Sequence, residues 1–211
     1  MATFALKCPH CLRDHTSFTV IATQLHKARV NGWNEVETFA CCNACKKGVS
    51  GTVLIDYPSV NTELEKTNLS IDTISKIEIG GWFPKPPTPD VPDHLPESVG
   101  KAFAEAERLK IAGFRGPAGN AYRRALEAGL KHVDQELKGT LFARIEKLAS
   151  DGRITIAMKD FAHRIRTLGN EASHETPEIG EDEIDDLAVF SRLFLMYQFT
   201  LPGMLNDAKP E

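Results

Sequence analysis

Ile154-Thr-Ile-Ala-Met-Lys-Asp-Phe-Ala-His-Arg-Ile-Arg-Thr-Leu-Gly-Asn-Glu-Ala-Ser-His174 carries the clearest periodicity in the chain. Its apolar residues Ile154, Met158, Phe161, Ile165, Leu168 and Ala172 recur at alternating steps of four and three, which is one buried face of an α-helix. Arg166, Asn170 and His174 follow at i, i+4 and i+8. They form a second stripe that points away from that face and brings together a cation, an amide and an imidazole. The segment reads as a core helix of an all-α unit with a polar edge.

Outward from it, the pattern is helical from Pro96 to the end. A helix beginning at Pro96-Glu-Ser places Val99, Ala102, Phe103, Ala106 and Leu109 on one face and stops near Gly113. Phe114-Arg-Gly-Pro-Ala-Gly-Asn120 reads as a loop. A second helix runs from Pro117 or Asn120 to Leu137, a short third one spans 141–149, and Asp151-Gly-Arg153 separates it from the opening segment. The last helix starts after Glu181-Asp-Glu-Ile184, acidic residues suited to a positive helix N-terminus, and continues to about Thr200. Its apolar residues, from Ile184 to Phe199, occupy more than one side. An all-round apolar helix needs cover on every side, and a second subunit is the expected cover for the extra face.

The N-terminal part has a different grammar. All five cysteines lie within residues 1–57. Cys8-Pro-His-Cys11 and Cys42-Asn-Ala-Cys45 are two C-x2-C pairs, and 17–23, 36–40 and 49–57 read as strands with a turn at Asn31-Gly32. Two residues between thiolates let both sulfurs reach one tetrahedral ion, and two pairs close its shell. Cys8, Cys11, Cys42 and Cys45 are therefore the expected ligands of a structural Zn²⁺ in a zinc-ribbon-like module, with zinc supplying stability of about 10–16 kcal/mol. Cys41 is left over. The register could use it in place of Cys42, although the C-x2-C spacing favours Cys42. His10, His15 and His26 are expected to be exposed rather than ligating.

Between these parts, residues 58–96 hold a short strand at 75–79, ended by Gly80-Gly-Trp-Phe83, and a stretch with six prolines in thirteen residues, Pro84 to Pro96. Such a stretch forms neither helix nor central strand and reads as an extended spacer. The expected organisation is α+β: a β zinc ribbon over 1–57, a strand and linker over 58–96, and a helical bundle over 97–211. No apolar run approaches the roughly 18–20 residues that span a bilayer. The N-terminus reaches a cysteine pair without an apolar signal region, and clustered cysteines of this kind suit a cytoplasmic protein. Net charge is −4, so nucleic-acid binding would need a local basic surface. Lys46-Lys47 and Lys131-His132 are too sparse in sequence to define one and read as solvated face.

With the helical pattern and these motifs together, the C-terminal part resembles the HEPN superfamily, in the branch catalogued as domain of unknown function 4145. The resemblance rests on Arg124-Ala-Leu-Glu127 and on Ile165-Arg-x-Leu-Gly-Asn-x-Ala-x-His174, covers about residues 97–200, and extends more loosely to the cysteine pairs. It implies a helical bundle working as a homodimer and metal-independent RNA cleavage, in phage defence or toxin–antitoxin contexts, with no small-molecule cofactor. Carried onto this chain, His174 would act as general acid/base, Arg166 would hold the scissile phosphate and Asn170 would orient either. The chain departs from the superfamily motif. Seven residues separate Arg166 from His174, a longer interval, and the two share a face only if the helix continues through Gly169. The other reading is a non-catalytic dimeric module that binds nucleic acid or protein, in which Arg124 pairs with Glu127 along its own helix.

Overall fold

A computed structural model of the chain describes residues 1–28, 32–57, 59–168 and 179–208. The chain forms two compact units, Met1–Pro87 and Thr88–Glu211. The first is an antiparallel sheet and the second a set of helices.

The sheet is a five-stranded meander in the order β1 (Thr3–Leu6), β2 (Thr16–Ala28), β3 (Trp33–Cys42), β4 (Gly48–Asp56) and β5 (Ile77–Phe83). Alternation in β3 and β4 is nearly strict: Val36, Thr38, Ala40, Cys42, Val49, Val53 and Ile55 are buried, and the residues between them face out. The connection 59–76 folds over the inner face, burying Leu64 and Ile71 against it. The same connection closes the free edge of β1, because the amides of Ala2 and Thr3 donate to the carbonyls of Leu64 and Leu69. The strand ending the sheet corrects the expectation drawn at Gly80. It runs on through Gly80 and Gly81 to Phe83, and Trp82 turns inward to stack on Phe4, ring centroids 4.5 Å apart. Gly51 opposite makes this possible: a Cβ there would lie 2.5 Å from the indole.

The helical unit comprises α1 (Glu97–Ile111), α2 (Arg115–Val133), α3 (Leu141–Ser150), α4 (Ile156–Leu168), α5 (Glu181–Leu195) and α6 (Leu201–Asp207). Its core is built on Phe103, Tyr122, Leu126, Phe190 and Phe194, all essentially inaccessible. Phe161 of α4 packs edge-on against Phe190. Helix α3 is capped by the Thr140 hydroxyl, which accepts from the Ala143 amide at 3.3 Å. Helix α5 opens with Glu181, Asp182 and Glu183, and the Glu183 carboxylate accepts from the Gly180 amide at 2.9 Å. The acidic start predicted for this helix thus serves its unpaired amides.

Three features differ from the sequence expectations. Arg115–Asn120 is helix, not loop. Pro117 falls in the first turn of α2, where a missing N–H costs nothing, and Gly119 lets α2 approach residues that a side chain would push away. A Cβ on Gly119 would sit 2.6 Å from Ile179 Cδ1, and one on Gly129 would sit 2.9 Å from Leu195 Cδ2. Second, the last helix does not stop near Thr200. A π-turn over Met196–Thr200 leads into α6, with Pro202 at its start. Proline has no amide to donate and crowds the carbonyl four residues back, here Gln198, and a widened turn relieves both. Third, residues 88–95 are docked on the helical unit. Arg192 binds the Asp90 carboxylate at 2.8 Å and the Asp90 carbonyl, and the Thr200 hydroxyl donates to the Asp93 carbonyl at 2.7 Å. Val91 and Leu95 pack on the core. Arg192 also lies over the Phe103 ring, 5.5 Å from its centroid, and 3.8 Å from Glu107, which accepts from the buried Tyr122 hydroxyl at 2.5 Å. Burial, then the Glu107 carboxylate, hold that phenol well above its usual range.

Gly129→Val should lower the stability of the helical unit by about 1–3 kcal/mol, the cost of overpacking a filled core. Gly116→Ala, where an added Cβ meets nothing within 4 Å, should raise it by up to about 1 kcal/mol. Thermal unfolding followed by circular dichroism reads both.

Candidate metal centre

The two C-x2-C pairs lie in turns at the same end of the sheet, one between β1 and β2, the other between β3 and β4. The turns have the same backbone design. In each, the amide four residues after the first cysteine donates to that cysteine's carbonyl: Leu12 to Cys8, and Lys46 to Cys42, both at 2.9 Å. The first cysteine's amide donates to the carbonyl one residue further on, Cys8 to Arg13 and Cys42 to Lys47, both at 3.0 Å. Leu12 and Lys46 adopt φ of 59° and 65°, a left-handed conformation that costs a side-chain-bearing residue about 1–2 kcal/mol. Paying it twice at matched positions marks the turns as built to one plan. The amides of His10 and Cys11 favour the thiolate form of Cys8, and those of Ala44 and Cys45 favour that of Cys42.

Antiparallel register brings the turns together. Phe18 pairs with Cys42 and Cys41 with Gly48, so β2 hands the first turn to the second. Asn43 locks the junction: its amide donates to the Ser17 carbonyl at 2.9 Å, and its side chain bonds Thr19 and Ser17. His10 Nε2 lies 2.9 Å from the Gly48 carbonyl, so this histidine ties the first turn to β4. The sulfurs of Cys8, Cys11, Cys42 and Cys45 lie within 4.8 Å of one another, with Cys8 and Cys42 buried and the other two partly so.

This donor set fits a metal ion. Metal–sulfur bonds of about 2.3 Å in a tetrahedron need sulfurs about 3.8 Å apart, and Cys8 Sγ lies 3.7 Å from Cys45 Sγ. That separation is far beyond a disulfide of about 2.05 Å, and all five cysteines are free. Electrostatics agree. Burial, reinforced by hydrogen bonds with neighbouring sulfurs, pushes the Cys8 thiol up to about 11. Burial acts the same way on Cys42, but the amides of Cys45 and Ala44 outweigh it and bring that thiol down to about 7. Four crowded thiolates repel, and a bound cation is what permits all four to lose their protons. With four sulfurs in the shell no position remains open for a substrate. Cys41 alternates to the opposite face of β3 from Cys42, so Cys42 and not Cys41 joins the cluster.

The module differs in one respect from the zinc-dependent ribbon expected. It has a hydrophobic core of its own, with Phe4, Phe18, Val20, Val36, Val53 and Ile55 buried.

In the helical unit, Arg166 lies on α4, which runs to Leu168. Its side chain, and all of Asn170 and His174, fall outside the described residues, as does Gly169. Nearby, His163 pairs with Glu146 of α3 at 2.9 Å. Arg124 pairs with Glu105 of α1 at 2.9 Å rather than with Glu127, because α1 and α2 lie side by side. Among the described residues, no helix is long and apolar enough to cross a membrane.

Cys42→Ser should abolish metal binding while Cys41→Ser retains it, read as metal per chain by plasma mass spectrometry. Affinity should be weaker at pH 6 than at pH 8, because below about 7 even Cys42 holds its proton and the metal must displace one from every sulfur. A chromophoric chelator in competition measures it. Stripping the metal should lower the melting temperature of the sheet without erasing its circular-dichroism signal, since the inner core persists.

No curated protein and no solved structure matches the chain. Residues 104–208, all within the helical unit, match the model of the family described as Domain of unknown function (DUF4145).

Proposed function

We propose that the chain is an RNA-binding protein of HEPN-like build, in which the four cysteines hold a structural Zn²⁺ and the helical unit forms a homodimer. The observation that carries RNA binding is the company the cysteine turns keep. Lys7, Arg13, Lys46 and Lys47 are exposed in or beside them, with Asp14 as the one acid in these turns, bound by Lys7 at 3.6 Å. None of Arg13, Lys46 and Lys47 is in an ion pair among the described residues. In a chain of net charge −4, this is the local basic surface that a polyanion requires. Sequence spacing hid it, because Lys7–Arg13 and Lys46–Lys47 come from turns that only the sheet register makes neighbours. Zinc suits the four-sulfur shell, which offers soft anionic donors in a closed tetrahedron. Free thiols so close together suit a reducing cytoplasm.

Dimerisation is supported by an exposed apolar stripe. Val189, Leu193, Tyr197, Leu201 and Leu205 recur every four residues, each 36% exposed or more, with Met204 beside them. The π-turn falls within this run. Its wider turn takes back much of the drift that a four-residue step accumulates on an α-helix, which keeps the stripe nearer one side. A second copy of the chain would cover it.

A second reading adds catalysis: Arg166 and His174, assisted by Asn170, would cleave RNA through attack by its 2′-hydroxyl. Its support is the position of the motif within the family match and the location of Arg166 on α4. The imidazole would move the proton, and the guanidinium would take the charge developing on the phosphoryl oxygens.

Purified protein should contain about one zinc per chain and shift a labelled single-stranded RNA. Loss of that shift at low salt would sink the RNA reading. If the protein cuts, products should end in cyclic phosphate without added metal, and His174→Ala should stop it. Identical behaviour of wild type and His174→Ala leaves only the binding reading. Leu193→Asp with Leu201→Asp should convert a dimer into a monomer in analytical ultracentrifugation.

A further inference from the structure

The sheet's outer face carries a row of side chains that the core does not use. Ala22 of β2 pairs with Phe39 of β3, Phe39 with Ser50 of β4, and Ser50 with Phe83 of β5. Directly opposed residues in an antiparallel sheet share a face, so the order across four strands is small, aromatic, small, aromatic. Phe39 is 42% exposed and Phe83 76% exposed. Neither is left over from a failed core, because the inner face is separately closed by Phe4, Phe18, Trp82 and the connection over it. The two rings stand two strand spacings apart, about 10 Å. The edge of the Phe39 ring reaches Gly48, where a Cβ would come within 2.4 Å of it, so a glycine is what leaves room for the ring. A depression of about 330 Å³ opens between Ala22, Gln24, Glu37, Phe39 and Ser50.

Charge is graded along this face. Towards the cysteine end, Lys46 and Lys47 sit in the turn that follows β3, and Lys85 follows Phe83 by two residues; all three are exposed, and none is in an ion pair among the described residues. In the other direction the next row holds Gln24 and Glu37, with Glu37 accepting from the Thr52 hydroxyl at 3.3 Å. A polyanion laid on this surface has one favourable path, with phosphates towards the cysteine turns and bases over the aromatic row. Duplex nucleic acid keeps its bases stacked inside and cannot use exposed rings, whereas a single strand stacks on them.

We propose that the row Ala22–Phe39–Ser50–Phe83 is a stacking platform for single-stranded RNA, with Lys46, Lys47 and Lys85 holding the phosphates. This rests on the RNA-binding reading and names its site on the sheet rather than on the helices. The carboxylate of Glu37 and the amide of Gln24, one row away, face the edge of a base stacked on Phe39, and a carboxylate there accepts from an exocyclic amino group.

The test uses the full zinc-loaded chain and a fluorescent twelve-nucleotide oligocytidine, whose exocyclic amino groups can meet Glu37, read by anisotropy, with an RNA duplex of equal length as comparison. Phe83→Ala, at a position too exposed to matter for folding, should weaken binding about tenfold, and Phe39→Ala with Phe83→Ala about a hundredfold, as expected for one stacked base per ring. Phe83→Trp should preserve binding. Lys46→Gln with Lys47→Gln should reduce the slope of log affinity against log salt by about 1.4. Circular dichroism and zinc content should match wild type in every variant. Wild-type affinity retained by the double phenylalanine variant, or a duplex bound as tightly as the single strand, would overturn the platform while leaving RNA binding elsewhere on the chain intact. Failure of the wild type to bind oligocytidine at low salt would remove the platform and the RNA reading together.

Discussion

Four sulfur atoms within 4.8 Å of one another are the constraint around which the sheet unit is arranged. Cysteines on separate turns meet only if β1, β2, β3 and β4 keep their pairing to the residue. A slip of one position between β3 and β4 would turn Cys42 outward and Cys41 inward. The four clustered cysteines and the hydrophobic core therefore select the same register. Val36, Thr38, Ala40 and Cys42 alternate onto one face, and the cluster cysteine is the last member of the core stripe. The matched left-handed residues Leu12 and Lys46 are the local strain this closure requires.

That register also decides what the opposite face looks like. With the core alternation set, Phe39 must point outward, Ser50 must stand opposite it, and Phe83 must stand opposite Ser50. The outer aromatic row is thus a geometric consequence of the inner packing, and the basic turns beside it are a consequence of the cysteine turns. Cysteine cluster, core and surface all follow from one pairing scheme. A metal held by the four cysteines would brace the basic turns but not the aromatic row, so the two parts of the proposed RNA surface would depend on the centre to different degrees.

The helical unit follows a different rule. Its close contacts depend on small residues on α2, at Gly119 and Gly129, against Ile179 and Leu195. Its internal polar contacts run through Arg192, which joins the Phe103 ring, Glu107 and the docked segment at Asp90. An arginine suits this work because its planar fork can stack on a ring while donating sideways. The proline stretch read as a spacer throughout, yet its second half is held on the helical unit by hydrogen bonds to the carbonyls of Asp90 and Asp93. A chain without amides to donate still offers acceptors.

Residue types at fixed spacing were enough, by themselves, to mark the two C-x2-C pairs, to favour Cys42 over Cys41 and to divide the chain into a strand-rich part and a helical part. These signals are local: thiolate reach is set by two intervening residues, and a helix face by a period of 3.6. Glycine and proline misled where tertiary packing outweighed propensity. Gly80-Gly81 reads as a strand end but continues β5, with Gly80 tight against the Thr52 carbonyl of β4, and Gly116-Pro-Ala-Gly119 reads as a loop but opens α2, because Ile184 and Leu187 of α5 need the space that Gly119 leaves. The ion pair of Arg124 with Glu105, the gathering of basic residues from separate turns, and the alignment of Phe39 with Phe83 were decided only by the tertiary structure. Each joins residues far apart in the chain, and strand register and helix contact, which no local period encodes, determine which of them meet.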